Sequence, residues 1–515
     1  MHYGTAFAGL ILILLMYLSL RRRSIVRNIR GPACPSWVFG HMLQLLLPPQ
    51  YGDYEFIWQK LYGPVYRLKG CFGQDRLMIS DPLALQYMVN SPHFDHGPIL
   101  ENGINLMFDE NCVLAVKGET HKRFRAALNI GFTAAAVRNY QPVFERVAQG
   151  VAEQFKEASG SPLDICPVLS DATLNAIGQA TFDYSTEDFG EEFVANNARI
   201  MALSYGQSAV QILGEAVGAR LTKWAWRAAI HLPTATFKVL RTAKYLAHQI
   251  GHHVVQKKLD AAQQGLETDS DIDIFDMLLN PNRSDKKSAL SRDEIVAQTG
   301  ILLIGGQDTA ANTMTFGLLE LARNPEFQDQ LRAEIHATGT ASAILGYDSM
   351  PLLNAFIKET LRLYPAAALS ERIAIQDTVI PLMDSLKTST GELTKHIRVG
   401  KGQIVIMAVA SYQRLESLWG EDAHKFRPSR WIDGTISKGQ AVGPYANLLA
   451  FFGGPGVCLG WRFAILEMQV FFCELVGRFS FALSEDDFIR TRFAGTLMPI
   501  MSDGQKAAPL CITPL

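Results

Sequence analysis

A single long helical pattern in the middle of the chain constrains its fold more than any other feature. Ser291 and Glu294 have the spacing of a capping box, in which two residues exchange hydrogen bonds at the start of a helix. The apolar periodicity continues to about Arg323, and Asn324-Pro325 then ends it. Some thirty residues of helix, about 45 Å at the usual rise, can cross an entire domain. The pattern therefore predicts a helix that traverses the whole domain.

Two consecutive glycines, Gly305 and Gly306, lie in the middle of this pattern, and Asp308 and Thr309 follow them. Each glycine destabilises a helix by roughly 1 kcal/mol relative to alanine, so the pair needs a physical reason. Close approach of the backbone to a ligand, a local break in the hydrogen-bond ladder, or packing against another helix would each supply one. The acid and the alcohol side by side are a weak signal on their own.

A glycine-rich segment, residues 453–460, holds Cys458 directly before a second helical stretch that starts at Trp461. Glycines allow the backbone to approach a flat ligand and to adopt positive φ. The free N–H groups and the positive dipole end of a helix stabilise a thiolate and lower its pKa. Such a cysteine is suited to bind a metal, but a lone cysteine is more often simply buried in a core. The local pattern leaves both interpretations open.

The composition supports a large folded protein and argues against some partners. Of the 515 residues, 48% are hydrophobic and 19% are charged, so a large core can form, and no internal repeat divides the chain. The formal net charge of −2 gives no electrostatic reason to expect nucleic-acid binding. The seven cysteines are scattered without metal-type spacing, which indicates a reduced protein that faces the cytosol.

The N-terminus predicts a membrane anchor. Residues 3–20 are apolar apart from small or hydroxyl side chains, and about eighteen helical residues roughly cross a bilayer core. Five arginines follow between positions 21 and 30, so the positive-inside rule places the rest of the chain in the cytosol. A cleaved signal peptide is the alternative, but this segment has neither the basic n-region nor the small-x-small cleavage site of a signal peptide. We expect a transmembrane helix over residues 1–20, a basic and proline-rich linker over 21–36 and a catalytic domain over 37–515.

Helical periodicity dominates residues 81–369, and short β-like runs follow between about 373 and 405 and again at 479–483. The predicted fold class is therefore mainly α with a minor β portion. Glu359 and Arg362 have the spacing of neighbours on one helix face, and Arg430 lies in a proline-containing loop. An isolated pair of this kind is usually a solvated surface contact worth a few tenths of a kcal/mol.

In this order and at these separations, the features resemble the membrane-anchored cytochromes P450, in particular the fungal microsomal type. The resemblance runs from the anchor to the C-terminus. The haem loop of that family reads Phe-x-x-Gly-x-Arg-x-Cys-x-Gly, and its matching residues here are Phe451, Gly454, Cys458 and Gly460. The oxygen-side helix motif of the family matches Gly305, Gly306, Asp308 and Thr309.

Further motifs of the family are present in full or in part. Glu359 and Arg362 match its Glu-x-x-Arg motif, and Arg430 matches the third member of that ion network. In the Trp-x-x-x-Arg motif, which binds haem propionates, His121 takes the tryptophan position and Arg125 takes the arginine position. Arg372 resembles another position that contacts a propionate.

The resemblance implies a haem b whose iron is bound by the Cys458 thiolate. It also implies that the cofactor is bound by Phe451, Gly454, Gly460, His121, Arg125 and Arg372. It assigns proton delivery to Asp308 and Thr309 and a structural role to Glu359, Arg362 and Arg430. The expected reaction inserts one oxygen atom of O₂ into a lipophilic small molecule, such as a terpenoid or another secondary metabolite. NADPH would supply electrons through a separate NADPH–cytochrome P450 reductase, and the chain would be a single-pass protein of the endoplasmic reticulum membrane with a cytosolic catalytic domain.

One position departs from the family pattern. Gly456 stands where the haem loop has an arginine, whose charge-assisted bond to a propionate is worth roughly 1.5–3 kcal/mol. His121, Arg125 and Arg372 could compensate, the haem could be held more weakly with activity intact, or the chemistry could be lost. Two other functions stay open: an isomerase or dehydratase that acts on a peroxide, and a haem-binding or inactive membrane protein. Relatives of the first kind tend to lack the acid–alcohol pair that this chain has.

Overall fold

The computed structural model describes residues 24–158, 160–221, 224–225, 228, 230–264, 273–280, 287–338, 346–434, 436, 442–484 and 488–515. The predicted anchor over residues 1–20 and the first residues of the predicted linker lie outside these ranges. None of the helices within them is both long and apolar enough to span a membrane.

Helices account for most of the described chain. The longer ones up to the polar segment near residue 265 are α1 (Met42–Leu46), α2 (Glu55–Tyr62), α3 (Pro82–Asn90), α4 (Pro98–Met107), α5 (Gly118–Leu128), α6 (Ala134–Asn139), α7 (Gln141–Glu157), α8 (Ile165–Phe182), α9 (Glu191–Tyr205), α10 (Ala209–Gly218) and α11 (Ala235–Gln263). Those that follow are α12 (Ile274–Leu279), α13 (Arg292–Val296), α14 (Thr299–Arg323), α15 (Pro325–Thr338), α16 (Pro351–Leu363), α17 (Val409–Tyr412), α18 (Glu416–Trp419) and α19 (Trp461–Arg478).

The strands form small separate sheets around the helices. They are β1 (Val65–Lys69), β2 (Asp75–Ile79), β3 (Phe94–His96), β4 (Leu163–Asp164), β5 (Leu369–Ala374), β6 (Thr378–Lys387), β7 (Leu393–Val399), β8 (Ile404–Ala408), β9 (Phe479–Leu483), β10 (Arg490–Ala494), β11 (Thr496–Ile500) and β12 (Pro509–Pro514). Among the described residues one sheet has the order β1-β2-β8-β5-β3, another has the order β4-β12-β9, and β6–β7 and β10–β11 are hairpins. The predicted class, mainly α with a minor β portion, is confirmed.

The long helix predicted from the sequence is present but interrupted. Ser291 and Glu294 form the predicted capping box at the start of α13, and α14 ends at Arg323 before Asn324. Between the two helices, the Gln298 N–H bonds to the Ile295 carbonyl at 3.0 Å, a tighter i to i+3 bond than in an α-helix. The Gln298 side chain meanwhile donates to the carbonyls of Glu294 and Asn111, at 2.7 and 2.9 Å. The prediction of one continuous helix was wrong at this point because these side-chain bonds favour a local turn.

Helix α14 is the centre of the molecule. Most of its residues from Asp308 to Leu321 are buried, and it packs along α8 over much of its length. Its neighbours include α11, α16, α19 and the β10–β11 hairpin. The middle of α14 therefore lies where elements from widely separated parts of the sequence converge.

The described part of the predicted linker packs against the domain. Residues Ile25–Asn28 form a 3₁₀ turn, and Val26 and Ile29 are buried among residues of the β-sheet region. The Arg30 carbonyl accepts a hydrogen bond of 2.8 Å from the N–H of Arg67 in β1, an edge strand of the sheet β1-β2-β8-β5-β3. The domain boundary at residue 37 remains a prediction, although contacts with the domain begin about ten residues earlier.

Candidate active site

The cysteine-containing loop is shaped by glycines where the backbone leaves no room for side chains. Cys458 lies between a 3₁₀ turn, Gly454–Gly456, and the start of α19, and its N–H donates to the Phe451 carbonyl at 2.9 Å. Gly454 has a φ of +60°, and a Cβ there would lie 2.2 Å from the Val89 carbonyl oxygen. Only glycine fits that position, so the motif residue Gly454 is explained by the path of the loop.

Cys458 is exposed to solvent as a whole residue, although protein surrounds its thiol group. This burial raises the pKa of the Cys458 thiol, against the opposing effects of the Gly460 N–H and the positive charge of Arg125. The prediction that the loop lowers the pKa of the free thiol was therefore wrong, because desolvation outweighs the helix end and the nearby cation. A bound metal cation would replace the proton, since a coordinating thiol is deprotonated by the ion itself.

The two glycines of α14 have different physical reasons. A Cβ on Gly306 would lie 2.6 Å from the Ile177 side chain, so Gly306 allows α14 and α8 to pack closely. A Cβ on Gly305 would meet no atom within 4 Å, and Gly305 is exposed although it lies in the middle of a buried helix. Thr309, one turn later, donates its hydroxyl to the Gly305 carbonyl at 2.9 Å. Gly305 and Thr309 therefore form one open face of the helix, while Gly306 belongs to a helix–helix contact.

Asp308 faces a different direction from Thr309. Its carboxylate is paired with the Lys506 ammonium group at 2.7 Å and accepts hydrogen bonds from Thr496 and Asn312, at 2.9 and 3.3 Å. Thr309 is not among these partners, because successive side chains on a helix point about 100° apart. The acid and the alcohol that are adjacent in sequence thus do not contact each other directly.

Three of the predicted basic residues lie near the cysteine loop. His121 and Arg125 are one turn apart on α5, and the charge of Arg125 acts on Cys458. Burial and the charge of Arg125 lower the pKa of His121. The guanidinium of Arg372, on β5, lies 5.6 Å from the ring centre of Phe452 in the loop. Residues from α5, β5 and the loop before α19 are therefore brought to one region.

A further basic residue, His96, was not singled out from the sequence. It lies on β3 opposite Arg372 in the strand register, and the Arg372 guanidinium donates to its Nδ1 at 2.6 Å. Burial and the charge of Arg372 lower the pKa of His96 to about 4, so the ring is neutral at physiological pH. His96 reaches the site through the pairing of β3 with β5. No local sequence pattern indicates that His96 belongs to the site.

The chemistry of this donor set fits a haem. None of the ion pairs formed among the described residues includes Arg125 or Arg372, and burial lowers the pKa of each guanidinium. A partly buried cation without a carboxylate is unfavourable unless it meets an anion. Haem carries two propionate carboxylates and needs an axial ligand, which the Cys458 sulfur can provide. His121, Arg125 and Arg372 would hold the propionates, and Phe451, Gly454 and Gly460 shape the loop that presents the sulfur.

The predicted ion network is present and completely buried. Arg362 donates to both carboxylate oxygens of Glu359, at 2.8 and 2.9 Å, and Arg430 donates to one of them at 2.9 Å. All three side chains are at most 1% exposed. The same guanidiniums bind backbone carbonyls between residues 413 and 425. The network therefore ties α16 to the loop that follows α18.

Comparison with known proteins identifies the family. The sequence profile of cytochrome P450 matches residues 30–503. This chain belongs to the cytochrome P450 family. It is 29% identical to cytochrome P450 monooxygenase 219 of Postia placenta over 509 residues, covering 94% of this chain and 92% of that protein. It is 27% identical to cytochrome P450 monooxygenase claQ of Ampulloclitocybe clavipes, covering 90% of this chain and 87% of that protein.

Membership of the cytochrome P450 family implies a haem iron bound by a cysteine thiolate. Cys458 is the cysteine of the family loop, and the surrounding donors fit the cofactor as described above. Gly456 remains the departure from the motif. A Cβ at this position would meet no atom within 4 Å, so the backbone itself does not exclude the arginine that the family motif has there.

Proposed function

We propose that this cytochrome P450 is a monooxygenase that inserts one oxygen atom of O₂ into a lipophilic small molecule and reduces the other to water. One observation carries the proposal. Cys458 lies in the same region as two guanidiniums, those of Arg125 and Arg372, that form no ion pair with a carboxylate of the described residues. A thiolate ligand and cations for two propionates are what a catalytic haem requires from the protein.

Residues on the cysteine side would bind and tune the cofactor. Haem, when bound through a thiolate, supplies the electron-rich iron centre that favours cleavage of the O–O bond. The Gly460 N–H donates a hydrogen bond to the Cys458 sulfur and would stabilise the negative charge of the thiolate. Arg125 and Arg372 would each hold a carboxylate by charge-assisted hydrogen bonds, and His121 would donate a further hydrogen bond from a ring N–H.

Residues of α14 would handle protons in the proposed reaction. Thr309 offers a hydroxyl on the open face of the helix, and it can both donate and accept a hydrogen bond. Asp308 is held one position away and turned toward the β10–β11 hairpin, so a water molecule or a rotation of its side chain must link it to Thr309. Gly305 keeps the helix surface beside Thr309 free of side-chain atoms.

The wider biochemical setting follows from the family resemblance and the apolar N-terminus. We propose a separate NADPH–cytochrome P450 reductase as the electron donor, and anchoring by residues 1–20 in the endoplasmic reticulum membrane with the catalytic domain in the cytosol. The relatives in Postia placenta and Ampulloclitocybe clavipes are named monooxygenases. A terpenoid or another lipophilic secondary metabolite is the substrate class that suits a membrane-bound enzyme of this type.

The cofactor assignment is tested by the carbonyl difference spectrum of the reduced, full-length protein. We expect the strongly red-shifted Soret band of a thiolate-ligated haem, and we expect Cys458→Ser to abolish it. Cys34→Ser is the matched control, because Cys34 is exposed and distant in sequence from the loop. A normal band in Cys458→Ser, or no haem in the parent protein, would contradict the assignment.

The reaction is tested by co-expression with an NADPH–cytochrome P450 reductase and a panel of lipophilic precursors. Mass spectrometry under ¹⁸O₂ should show products that carry one labelled oxygen atom and that form only with NADPH. A product that carries no label, or one that forms without reductase, would refute the monooxygenase and favour an isomerase or dehydratase.

A further inference from the structure

The carboxylate of Asp308 is a meeting point for three parts of the chain. Its Oδ1 pairs with Lys506, and its Oδ2 accepts a hydrogen bond from the hydroxyl of Thr496 at 2.9 Å. Asn312, one helical turn further along α14, donates to both Asp308 and Thr496, at 3.3 and 3.1 Å. The side chains of Asp308 and Lys506 are only 11% and 10% exposed, so water screens their attraction weakly.

Thr496 lies at the tip of the β10–β11 hairpin. Gly495 makes the turn, and Thr496 is the first residue of β11, paired with Ala494. A second contact holds the same tip from the other side, because the Leu497 N–H donates to the Ala366 carbonyl at 2.9 Å. The tip is thus held between α14 and the segment that follows α16.

This attachment lies next to the open face of α14. Asp308 points away from Thr309, but it follows Gly305 by three positions, and residues three apart are neighbours on a helix surface. The hairpin tip therefore borders the region in which the substrate of the proposed monooxygenase would lie. A shift of the tip would change the shape of that region without touching the cysteine loop.

Lys506 supplies the only positive charge among the partners that Asp308 has in the described residues. Without it, a nearly buried carboxylate would keep only neutral donors, and burial of an unpaired charge is strongly unfavourable. The carboxylate would then turn toward water, and its bond to Thr496 would be lost.

We propose that Lys506 is a positioning residue, which acts through Asp308 to fix Thr496 and the hairpin tip against the substrate side of α14. The inference rests on the proposed function, because the fixed wall matters only if a substrate lies beside it. One carboxylate then serves both the proton-handling helix and the shape of the substrate site.

Hydrogen exchange of the full-length protein tests the positioning without any turnover. In Lys506→Met we expect the peptide that covers residues 490–500 to exchange at least tenfold faster, which corresponds to about 1.4 kcal/mol. Thr496→Val, which keeps the side-chain volume, should act in the same direction, and Lys506→Arg should restore most of the protection. Lys395→Met, a change on the exposed surface of β7, is the matched control. Unchanged exchange in Lys506→Met would overturn the proposal, because strand pairing and contacts such as the Asn312–Thr496 and Leu497–Ala366 bonds would then be enough to hold the tip.

A pair of nitrogen ligands tests whether the fixed tip shapes the substrate site. Imidazole reaches only the haem, whereas 1-dodecylimidazole also extends along the surrounding wall. We expect Lys506→Met to weaken 1-dodecylimidazole at least threefold in spectral titrations while the affinity for imidazole stays the same, and Lys506→Arg to restore the difference. Equal effects on both ligands, or on neither, would refute a role in the substrate wall. If the protein bound no haem, the proposed function would fail, and the exchange experiment would still decide whether Lys506 fixes the tip.

Discussion

Replacing Glu359 with alanine is expected to destabilise the whole domain. Glu359 is 0% exposed and accepts five hydrogen bonds: two from Arg362 and one each from Arg430, Trp431 and the Arg427 N–H. Their distances lie between 2.8 and 2.9 Å. The substitution would leave Arg362 in the core without a counter-charge, while Arg430 would keep Asp422, at 3.1 Å, as its remaining carboxylate partner.

The magnitude follows from the contacts that survive. Breaking a buried ion pair by removing one partner costs about 3–5 kcal/mol. Arg362 keeps its bonds to the carbonyls of Gln413 and Ala423, and Arg430 keeps its bond to the Trp419 carbonyl. These acceptors favour the lower end of the range, about 3 kcal/mol, which is a large part of the total stability of about 5–15 kcal/mol that is usual for proteins.

Urea unfolding followed by tryptophan fluorescence measures this loss. With a denaturant dependence of about 3 kcal/mol per molar, the midpoint should fall by about 1 M. Two of the seven tryptophans lie at the network, because the Trp431 indole bonds to Glu359 and the Trp431 ring lies 5.5 Å from that of Trp419. We also expect the haem content of the purified variant to fall sharply, because a destabilised domain retains its cofactor poorly.

Glu421→Ala is the matched control, since Glu421 is an exposed acid in the segment that the network holds. Its midpoint should match that of the parent protein. If Glu359→Ala unfolded at the parent midpoint with full haem content, the network would not stabilise the fold, and the reasoning from buried charge would be refuted.

Three further changes have expected outcomes of their own. Gly456→Arg should slow haem loss to apomyoglobin by less than threefold if Arg125 and Arg372 already hold the propionates, and a much larger gain would show that the missing arginine is not compensated. Gly306→Ala should be less stable than Gly305→Ala by about 1–3 kcal/mol in thermal unfolding, because only the first meets Ile177, and equal stabilities would refute the packing explanation. The bond to Asp109 raises the pKa of His248 above its ordinary value of about 6.5, so the stability from this contact is fully present below that value and is lost as the pH rises through the folded-state pKa. The pH scan of His248→Gln should lack that loss, and an unchanged profile in the variant would contradict it.

Local motifs made much of the fold and site predictable from the sequence. The capping box at Ser291, the strands after residue 369 and the glycine loop around Cys458 depend on neighbours within a few positions. The Glu359 network was predictable only as a set of matching motifs, because nothing in an i to i+3 pair distinguishes a buried contact from a solvated one. Burial decides that, and burial is a property of the whole fold.

Long-range contacts account for what the sequence did not reveal. Lys506 meets Asp308 across 198 positions, and Arg372 meets His96 across 276. The pKa of Cys458 was mispredicted for the same reason, because the helix end is visible in the sequence whereas the surrounding protein that desolvates the thiol is not. The different roles of Gly305 and Gly306 likewise depend on Ile177, which belongs to another helix.

The sheet β4-β12-β9 has a consequence for the order of synthesis. β12 is its central strand, yet it is the last of the three in sequence, and the Ala508 N–H bonds to Asp164 across 344 residues. At about 5–20 residues per second, β4 leaves the ribosome roughly 17–70 s before its partner. Leu510 and Ile512 of β12 are buried at 0% and 3% exposure, so a stop codon just before Pro509 would remove a piece of the core and leave two open strand edges. The synthesis of β12 therefore completes a sheet that began with β4.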